Sequence, residues 1–447
     1  MTDRQTQALS MAFLHEYALD KQRGLSEDEQ QILDRTKILF QQADEVIIYL
    51  GGKSGRLGEC IVETGLLNAT LQTLQATGKA GTQVTIFVDD GVIELFDEPL
   101  YQQHYWPQIH IIASATSMVE TDTQPANGKH RLVIDFHGGH DGMPILHVEE
   151  SNTDSSRSLL AYLFRVGVRS YAQRGPARRY ADFVEELFSL PQGTINSEKA
   201  QPGILLAPED DARYARLSRE LCMDSEAIQI VCFFQSVVLA KCYERWDEVM
   251  QLLCEYLAQH SPAQKVDFLI ACGPDNDLPE GFKQADMEEW LQPFTGVNNN
   301  ARVLICSLPS LRDLALLIKH ATLVLANDTG PGHIAGALGI HTVTPYLPGN
   351  IYSQQVWSST LWHHGVTLEQ HTLTFRELEA AVLWGKTDII NSIPPQDLHN
   401  AIHACLPLVR LFPAHEVEAS ASAGSVSLLA KACLIRPELG VPACSNC

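Results

Sequence analysis

The sequence predicts an α/β protein built from two parallel-sheet units in tandem. Short apolar runs rich in β-branched residues recur along the chain, and stretches of helix length separate them. This alternation is typical of buried parallel strands joined by crossover helices. A polar segment containing Gly and Pro, residues 191–203, interrupts the pattern, which then restarts. Such a segment is predicted to link two units.

The first unit opens with a predicted helix over residues 26–42. Ser26 followed by Glu29 is the pattern of a capping box, and the apolar residues after it repeat at helical spacing. Residues 1–42 are therefore predicted to form a helical prelude. The strands predicted to follow it lie at residues 45–50, 83–90, 108–114 and 131–137.

The second unit repeats the alternation of strands and helices. Its predicted strands lie at residues 228–234, 267–273, 302–307, 321–326 and 341–346. Helices are predicted at residues 244–258, at residues 310–320 and, as a short piece, between the last two strands. Paired units of this kind bind ligands in the crevice at the carboxyl ends of their strands. Residues at those ends are therefore the candidates for function.

Composition narrows the class of function. The chain has 447 residues, with 32 Lys and Arg against 54 Asp and Glu, and a formal net charge of −22. Such a charge repels phosphate backbones and opposes non-specific nucleic-acid binding. The first residues are polar throughout, no apolar stretch approaches the length of a membrane span, and most cysteines are scattered in apolar segments. We therefore expect a cytoplasmic protein without a signal peptide or transmembrane segment.

The strongest local signal is the tip, residues 327–332, which follows a predicted strand and opens a short helix. Asp328 and Thr329 stand at N-cap positions, and Gly330 and Gly332 allow close approach of a ligand to the backbone. A helix start of this kind presents N–H groups and the positive end of a dipole. These features together predict a diphosphate site.

Two further residues belong to this pattern. Pro331 is tolerated in a first turn that needs no donor, and His333, one turn into the helix, can donate a hydrogen bond to a phosphate oxygen. The alternative interpretation is that Asp328 and Thr329 only cap a buried helix and that His333 is a core histidine. We favour a ligand role because Asp, Thr, two Gly and His fall so close together.

The order N-D-T-G-P-x-H-x-A-x-A-L-G-x-x-T-V, which begins at Asn327, resembles the nucleotide-sugar signature of glycosyltransferase family 9, the heptosyltransferase-like enzymes. Three other stretches support the resemblance. Residues 51–74 are similar to the family's Gly-rich loop and first helix, residues 130–138 to its strand ending in Asp-x-His, and residues 235–249 to its Lys-containing segment before a Trp. The resemblance spans roughly residues 45–410.

The resemblance implies a GT-B fold, in which two Rossmann-like domains face each other, and inverting transfer of a sugar from a nucleoside-diphosphate sugar. It predicts a helical N-terminal extension over residues 1–44 and an acceptor domain over 45–200. A donor domain over 201–395 and a return helix with a Cys-containing tail over 396–447 complete the predicted organisation. The family's prototype donor is ADP-heptose, and the acceptor is left open between a lipopolysaccharide core, another glycan and a peptide.

Inverting transfer needs a base for the acceptor hydroxyl and positive charge for the departing diphosphate. Glu59 is the predicted base, although the family pattern has Asp at this place and the Glu side chain is one methylene longer. The alternative is that Glu59 complements the helix dipole. Asp135 and His137 are further candidates, either as base or to orient the acceptor. Lys53 and Arg56 are predicted to meet an anionic acceptor or the distal phosphate.

On the donor side, Lys241 is the predicted counter-charge for the diphosphate, and Ser236 a possible hydrogen-bond donor. Tyr243 and Trp246, which follow Lys241, are predicted to pack beneath the helix. The predicted donor-binding residues are Ser236, Asp328, Thr329, Gly330, Pro331, Gly332 and His333. Because a helix start, a lysine and a histidine are available, no metal and no other cofactor is predicted to be required.

Four cysteines stand apart near the end of the sequence, namely Cys405, Cys433, Cys444 and Cys447, the last two as C-x-x-C. Thiolates at that spacing can share a tetrahedral metal. A flexible Ala/Ser/Gly-rich segment, residues 418–427, separates Cys405 from the others. The preferred interpretation is free thiols, with a structural zinc or iron as the alternative.

The sequence therefore predicts an inverting glycosyltransferase acting on a nucleotide-sugar donor and a glycan, lipid-linked or peptide acceptor. Two alternatives stay open. One is a catalytically inactive relative that serves binding or assembly, suggested by Glu59 and by the acidic composition. The other is a different GT-B reaction, such as epimerisation of a nucleotide sugar.

Overall fold

The computed structural model describes most of the chain between residues 27 and 410. The described residues are 27–50, 57–76, 81–114, 131–135, 174–273, 278, 281, 283–291, 300–308, 310–347, 362–368 and 387–410. The chain divides into two compact units, Met1–Ala401 and Ile402–Cys447. Both sheets lie in the first unit, and the described part of the second is the end of the last helix.

The first half of the larger unit alternates strands and helices from residue 27 to residue 187. Its elements are α1 (Glu27–Gln42), β1 (Glu45–Leu50), α2 (Leu57–Ala76), β2 (Gln83–Asp89), a 3₁₀ turn (Ile93–Leu95), α3 (Glu98–His104), β3 (Ile109–Ser114), β4 (Arg131–Asp135), a 3₁₀ turn (Pro176–Arg178) and α4 (Arg179–Leu187).

The second half continues the alternation to the end of the described chain. Its elements are α5 (Asp210–Glu220), β5 (Ile228–Phe233), a 3₁₀ turn (Leu239–Lys241), α6 (Trp246–His260), β6 (Val266–Cys272), α7 (Gln284–Leu291), β7 (Ala301–Ser307), α8 (Leu311–Lys319), β8 (Leu323–Ala326), α9 (Gly330–Ala337), β9 (Thr342–Pro345), β10 (His363–Val366), α10 (Asp388–Asn391) and α11 (Pro395–Arg410).

The strands form two sheets in which every described pairing is parallel. The first sheet has the order β3-β2-β1-β4 and the second the order β10-β9-β8-β5-β6-β7. In each sheet the strand order reverses at one place, between β1 and β4 or between β5 and β8. Loops diverge to opposite faces there and leave a crevice at the carboxyl ends of the strands.

The burial of the second sheet explains why its strands are unbroken apolar runs in the sequence. All residues of β5 and β6 are buried, because helices cover both faces of a parallel sheet. Each fully buried Val, Leu or Ile side chain contributes about 1.5–3 kcal/mol relative to the exposed state. The sheet is thus a rigid base for the loops at its edge.

The predicted elements agree closely with the observed ones, and the prediction of two parallel α/β sheets is confirmed. The helix predicted at residues 26–42 is α1, and Ser26 lies outside the described residues. The prediction missed β10, whose sequence HHGV has no strand-like apolar run, and the polar helix α5. The proposed domain boundaries stay a prediction.

Residues 191–203, the predicted linker, lack helix and strand but are held firmly. Asn68 of α2 donates from Nδ2 to the Gln201 carbonyl over 2.9 Å, and the Gly203 N–H donates to the Thr64 hydroxyl over 2.9 Å. The side chain of Ile195 is buried. The segment therefore packs along α2 instead of moving freely.

Among the described residues, no helix is both long enough and apolar enough to cross a membrane.

The packing of α2 against α4 gives a stability prediction. A Cβ placed on Gly65 would lie 2.8 Å from the Tyr180 ring, which is fully buried. We expect Gly65→Val to lower the free energy of unfolding by about 1–3 kcal/mol through overpacking. Urea unfolding measures this change. Gly81→Val is the control, because a Cβ there meets no described atom within 4 Å; equal losses in the two variants would contradict the packing argument.

Candidate active site

The tip lies at the reversal point of the second sheet. It connects the carboxyl end of β8 with the start of α9. Beside it, the segment from Phe234 to Arg245 follows the neighbouring strand β5. This segment, here called the lysine segment, contains Ser236 and Lys241. The fold therefore brings two separate parts of the predicted donor site together, because β5 and β8 are adjacent although about 90 residues separate them in the sequence.

The start of α9 has the open form that the motif predicts. Thr329 is the N-cap residue, yet its side chain makes no capping bond to the helix among the described residues. Its hydroxyl donates instead to the Asn327 carbonyl over 3.3 Å. Asp328 does not cap the helix either, since its carboxylate is bound elsewhere. The helix ends at Gly339, whose φ of +75° fits the predicted glycine stop.

A buried ion pair joins the tip to the lysine segment. The Lys241 Nζ lies 2.8 Å from Asp328 Oδ2, and the Asp328 side chain is only 2% exposed. Burial alone raises the pKa of Asp328, but the charge of Lys241 and the hydrogen bond from Lys241 hold this pKa below its ordinary value. Asp328 is therefore ionised at neutral pH, and Lys241 keeps two further N–H donors.

His333 lies next to this pair and is neutral. Burial lowers the pKa of His333 below its ordinary value, and the carboxylates of Asp328 and Glu59 only partly oppose this effect. Its Nε2 lies 4.0 Å from Asp328 Oδ1. Its Nδ1 is buried and has no hydrogen-bond partner among the described residues. A buried polar nitrogen in that state is suited to contact a ligand or a water molecule.

The start of α2, the helix that follows β1 of the first sheet, meets the start of α9. A Cβ on Gly58 would lie 2.7 Å from His333 Cδ2, and a Cβ on Gly330 would lie 2.8 Å from the Leu57 side chain. Glycine at both positions is thus required for this close approach. The contact brings half-exposed Glu59 to the side of the tip, where its charge acts on His333.

Several predicted residues are only partly described. Ser236 is buried, and its Oγ accepts from the Val238 N–H over 3.2 Å. Asp135 is the last residue of β4, in register with Tyr49 of β1, and nothing is described of its side chain. His137, Lys53 and Arg56 lie outside the described residues.

The terminal cysteines leave the metal prediction open. Cys433, Cys444 and Cys447 lie outside the described residues. Cys405 is buried in α11, and burial raises the pKa of its thiol to about 12.

The packing predicted for the lysine segment is observed, since both Tyr243 and Trp246 are fully buried.

One buried residue near the site was missed from the sequence. His363 opens β10, and its Nε2 lies 2.7 Å from the Tyr346 hydroxyl. Burial lowers the pKa of His363 to about 3, and the charge of Asp328 opposes this effect only in part. Because β10 has no apolar run, nothing in the sequence marked this histidine as part of the sheet.

Two parallel α/β sheets in one chain, with helix starts that meet beside their carboxyl edges, define the GT-B class of fold, as the sequence predicts. Within that class, residues 164–381 match the family model of glycosyltransferase family 9 (heptosyltransferase). The resemblance carried by the motif is thereby confirmed, and the chain carries a domain of glycosyltransferase family 9. The matched residues include the tip and the lysine segment.

Solved structures with a similar chain trace include members of the same family. A glycosyl transferase of family 9 from Veillonella parvula is 15% identical, with 81% of this chain and 97% of that chain covered and a TM-score of 0.48. The ADP-heptose lipopolysaccharide heptosyltransferase II of E. coli is 13% identical, with 82% and 99% covered and a TM-score of 0.41. TibC, an iron-containing dodecameric glycosyltransferase of enterotoxigenic E. coli, is 14% identical, with 82% and 76% covered and a TM-score of 0.40. No curated protein matches the chain.

The ion pair at the tip gives a prediction of stability against pH. We expect Lys241→Met to lower the free energy of unfolding by about 3–5 kcal/mol at pH 7, because it leaves the Asp328 charge buried without its partner. The folded-state pKa of Asp328 is depressed, so the stabilisation is present above the ordinary carboxyl pKa and is lost as the pH falls through the lowered one. In the variant, burial without Lys241 raises the pKa of Asp328 instead, so the difference between wild type and variant should shrink as the pH falls from neutral through that raised pKa.

Urea unfolding at several pH values measures both effects. Lys265→Met is the matched control, since Lys265 pairs with Asp224 over the same 2.8 Å but at the exposed surface. Little change is expected from this control. A Lys241→Met loss that stays constant down to pH 3 would contradict the assignment of the effect to the Asp328 charge.

Proposed function

We propose that the protein is an inverting glycosyltransferase that moves a heptose-like sugar from a nucleoside-diphosphate sugar to an acceptor hydroxyl. The observation that carries this proposal is the meeting of the tip, Lys241 and the start of α2 at the carboxyl edges of the two sheets. In this proposal the tip and Lys241 hold the departing anion, and Glu59 at the start of α2 receives the proton of the attacking hydroxyl. The proposed domains are an acceptor domain over residues 45–200 and a donor domain over residues 201–395.

The donor side supplies positive charge without a resident metal in this proposal. The start of α9 offers backbone N–H groups and the positive end of its dipole, and Gly330 and Gly332 let the phosphates approach closely. Lys241 supplies a full positive charge, which Asp328 holds in place. Neutral His333 and the Ser236 hydroxyl add hydrogen bonds. Together these groups stabilise the negative charge that develops on the diphosphate as it leaves.

The acceptor side supplies the base. The acceptor oxygen attacks the anomeric carbon from the face opposite the diphosphate, the bond from that carbon to the diphosphate oxygen breaks, and Glu59 takes the hydroxyl proton. Its half-exposed position at the start of α2 suits a group that must meet an incoming acceptor. Asp135, His137, Lys53 and Arg56 are the proposed contacts with the remainder of the acceptor.

The proposed donor is ADP-heptose or a close analogue. The family model is that of heptosyltransferases, and a solved relative in E. coli is described as an ADP-heptose lipopolysaccharide heptosyltransferase. A glycan, a lipid-linked sugar or a peptide is the proposed acceptor, and the proposed location is the cytoplasm.

The base assignment is tested with Glu59→Gln. We expect this variant to lose sugar transfer by at least about a hundredfold, because general base catalysis contributes about 10²–10⁴-fold, while its affinity for the donor stays unchanged. Transfer is measured by release of the nucleoside diphosphate, with and without acceptor extract, and donor binding by calorimetry over ADP-, GDP-, UDP- and dTDP-sugars.

Glu255→Gln, an exposed carboxylate on the outer side of α6, is the matched control and should behave as wild type. Unchanged turnover of Glu59→Gln would remove Glu59 from the mechanism. Donor binding without transfer in the wild type would favour the binding or assembly alternative, and release of an epimer without acceptor would favour an epimerase.

Metal independence gives a separate prediction. Because Lys241 and the start of α9 neutralise the diphosphate in this proposal, we expect dialysis against a chelator to leave the initial rate of transfer unchanged within about twofold. Metal analysis before and after dialysis reports any zinc or iron held by the terminal cysteines. A rate that falls with the metal content and recovers on adding it back would overturn the proposed metal-free mechanism.

A further inference from the structure

We propose that Asn327 is a positioning residue that holds the lysine segment against the tip and so keeps Lys241 where the diphosphate leaves. This inference rests on the proposed function, because it concerns the counter-charge of the donor site. Asn327 touches neither the proposed diphosphate nor the acceptor in this arrangement. Its action is through Lys241.

The side-chain hydrogen bonds of Asn327 all go to one stretch of chain, residues 234–246. The residue is fully buried. Its Nδ2 donates to the Phe234 carbonyl over 2.7 Å, and its Oδ1 accepts from the Trp246 indole N–H over 2.9 Å and from the Tyr243 N–H over 3.3 Å. Its own backbone N–H donates to the Phe233 carbonyl over 2.9 Å. The side-chain amide of Asn327 therefore binds the chain on both sides of Lys241 in the sequence.

These bonds close a ring that contains the ion pair. The lysine segment begins at Phe234, carries Lys241 in its middle and runs into α6 at Trp246. Asp328, the partner of Lys241, is the residue next to Asn327. The 3₁₀ turn Leu239–Lys241 is the only regular structure between β5 and α6 in this described stretch. Without the amide, ordering the inner side of this connection, which faces the tip, would depend on the ion pair and on side-chain packing.

An asparagine meets this requirement in a way that its isosteres do not. The site needs one donor and one acceptor on the same planar group, because the Phe234 oxygen accepts while the Tyr243 and Trp246 nitrogens donate. An aspartate presents oxygen to the Phe234 carbonyl and buries a charge, and a leucine offers neither function. The amide is thus specified by its partners.

The outer side of the lysine segment is held independently. The Tyr243 hydroxyl donates to the Ile393 carbonyl over 2.9 Å, and the Glu244 N–H donates to Asn391 Oδ1 over 2.7 Å. The Trp246 ring also stacks on Phe234, with ring centroids 4.9 Å apart. Loss of the Asn327 amide is therefore expected to loosen the inner side of the segment while the fold persists.

A double-mutant cycle on nucleotide binding tests the inference. The variants are Asn327→Leu, Lys241→Met and the pair, and the measurement is the dissociation constant for ADP by calorimetry. We expect each single variant to bind ADP about tenfold more weakly and the pair to bind no more weakly than Lys241→Met alone. Effects that act through one shared group are non-additive, whereas a separate folding defect adds to the loss.

Two further variants of the chain keep the test decisive if Asn327→Leu does not fold. Trp246→Phe removes the indole N–H that donates to Asn327 and keeps an aromatic ring beside Phe234, at the cost of some buried volume. Its effect on ADP binding should likewise vanish in the Lys241→Met background. Asn68→Leu is the control, because Asn68 is a buried amide that bonds the Gln201 carbonyl in the other half of the unit. It should lower the thermal midpoint and leave the affinity for ADP unchanged.

The outcomes separate the two proposals. Additive losses, or unchanged ADP affinity in Asn327→Leu and Trp246→Phe while Lys241→Met binds weakly, would overturn the role of Asn327 and leave the proposed function intact. Wild-type protein that binds none of ADP, GDP, UDP and dTDP, or Lys241→Met that binds as the wild type does, would overturn the proposed donor site itself.

Discussion

The ion pair between Lys241 and Asp328 is the constraint on which the candidate site depends. Its two residues come from loops on either side of the point where the strand order of the second sheet reverses. A carboxylate buried to this extent is stable only beside a fixed positive charge. The pair therefore ties the two loops to each other, and it fixes the position of a lysine whose long side chain would otherwise sample many rotamers.

The second constraint is the contact between the starts of α2 and α9. Two glycines, Gly58 and Gly330, each receive a side chain from the opposite helix at a distance that leaves no room for a Cβ. Positive helix ends repel each other when they meet, and the carboxylates of Glu59 and Asp328 both bring negative charge to this contact, where they act on His333. The acidic residues of the site thus have an electrostatic role in the resting protein as well as a proposed role in the reaction.

Much of the fold was predictable because buried parallel strands appear in the sequence as apolar runs. β1, β2 and β5 begin at the residues where the runs begin. β10 was not predictable, since the sequence HHGV forms a strand by pairing with β9 and not because of its own composition. In the site, the motif at Asn327 predicted the helix start, but its pairing with Lys241 was beyond the sequence. That contact depends on strand order, which residue patterns specify only loosely.

The segment after α4 has a mechanical consequence. It is bonded to α2 through Gln201 and Gly203, and shortly afterwards the Leu205 carbonyl accepts from Arg312 of α8 over 3.2 Å. One residue, Ile204, lies between Gly203, which is bonded to α2 of the first half, and Leu205, which is bonded to α8 of the second half. This stretch of backbone therefore contains almost no unanchored chain, and a hinge at this crossing has to turn about residues 203–205.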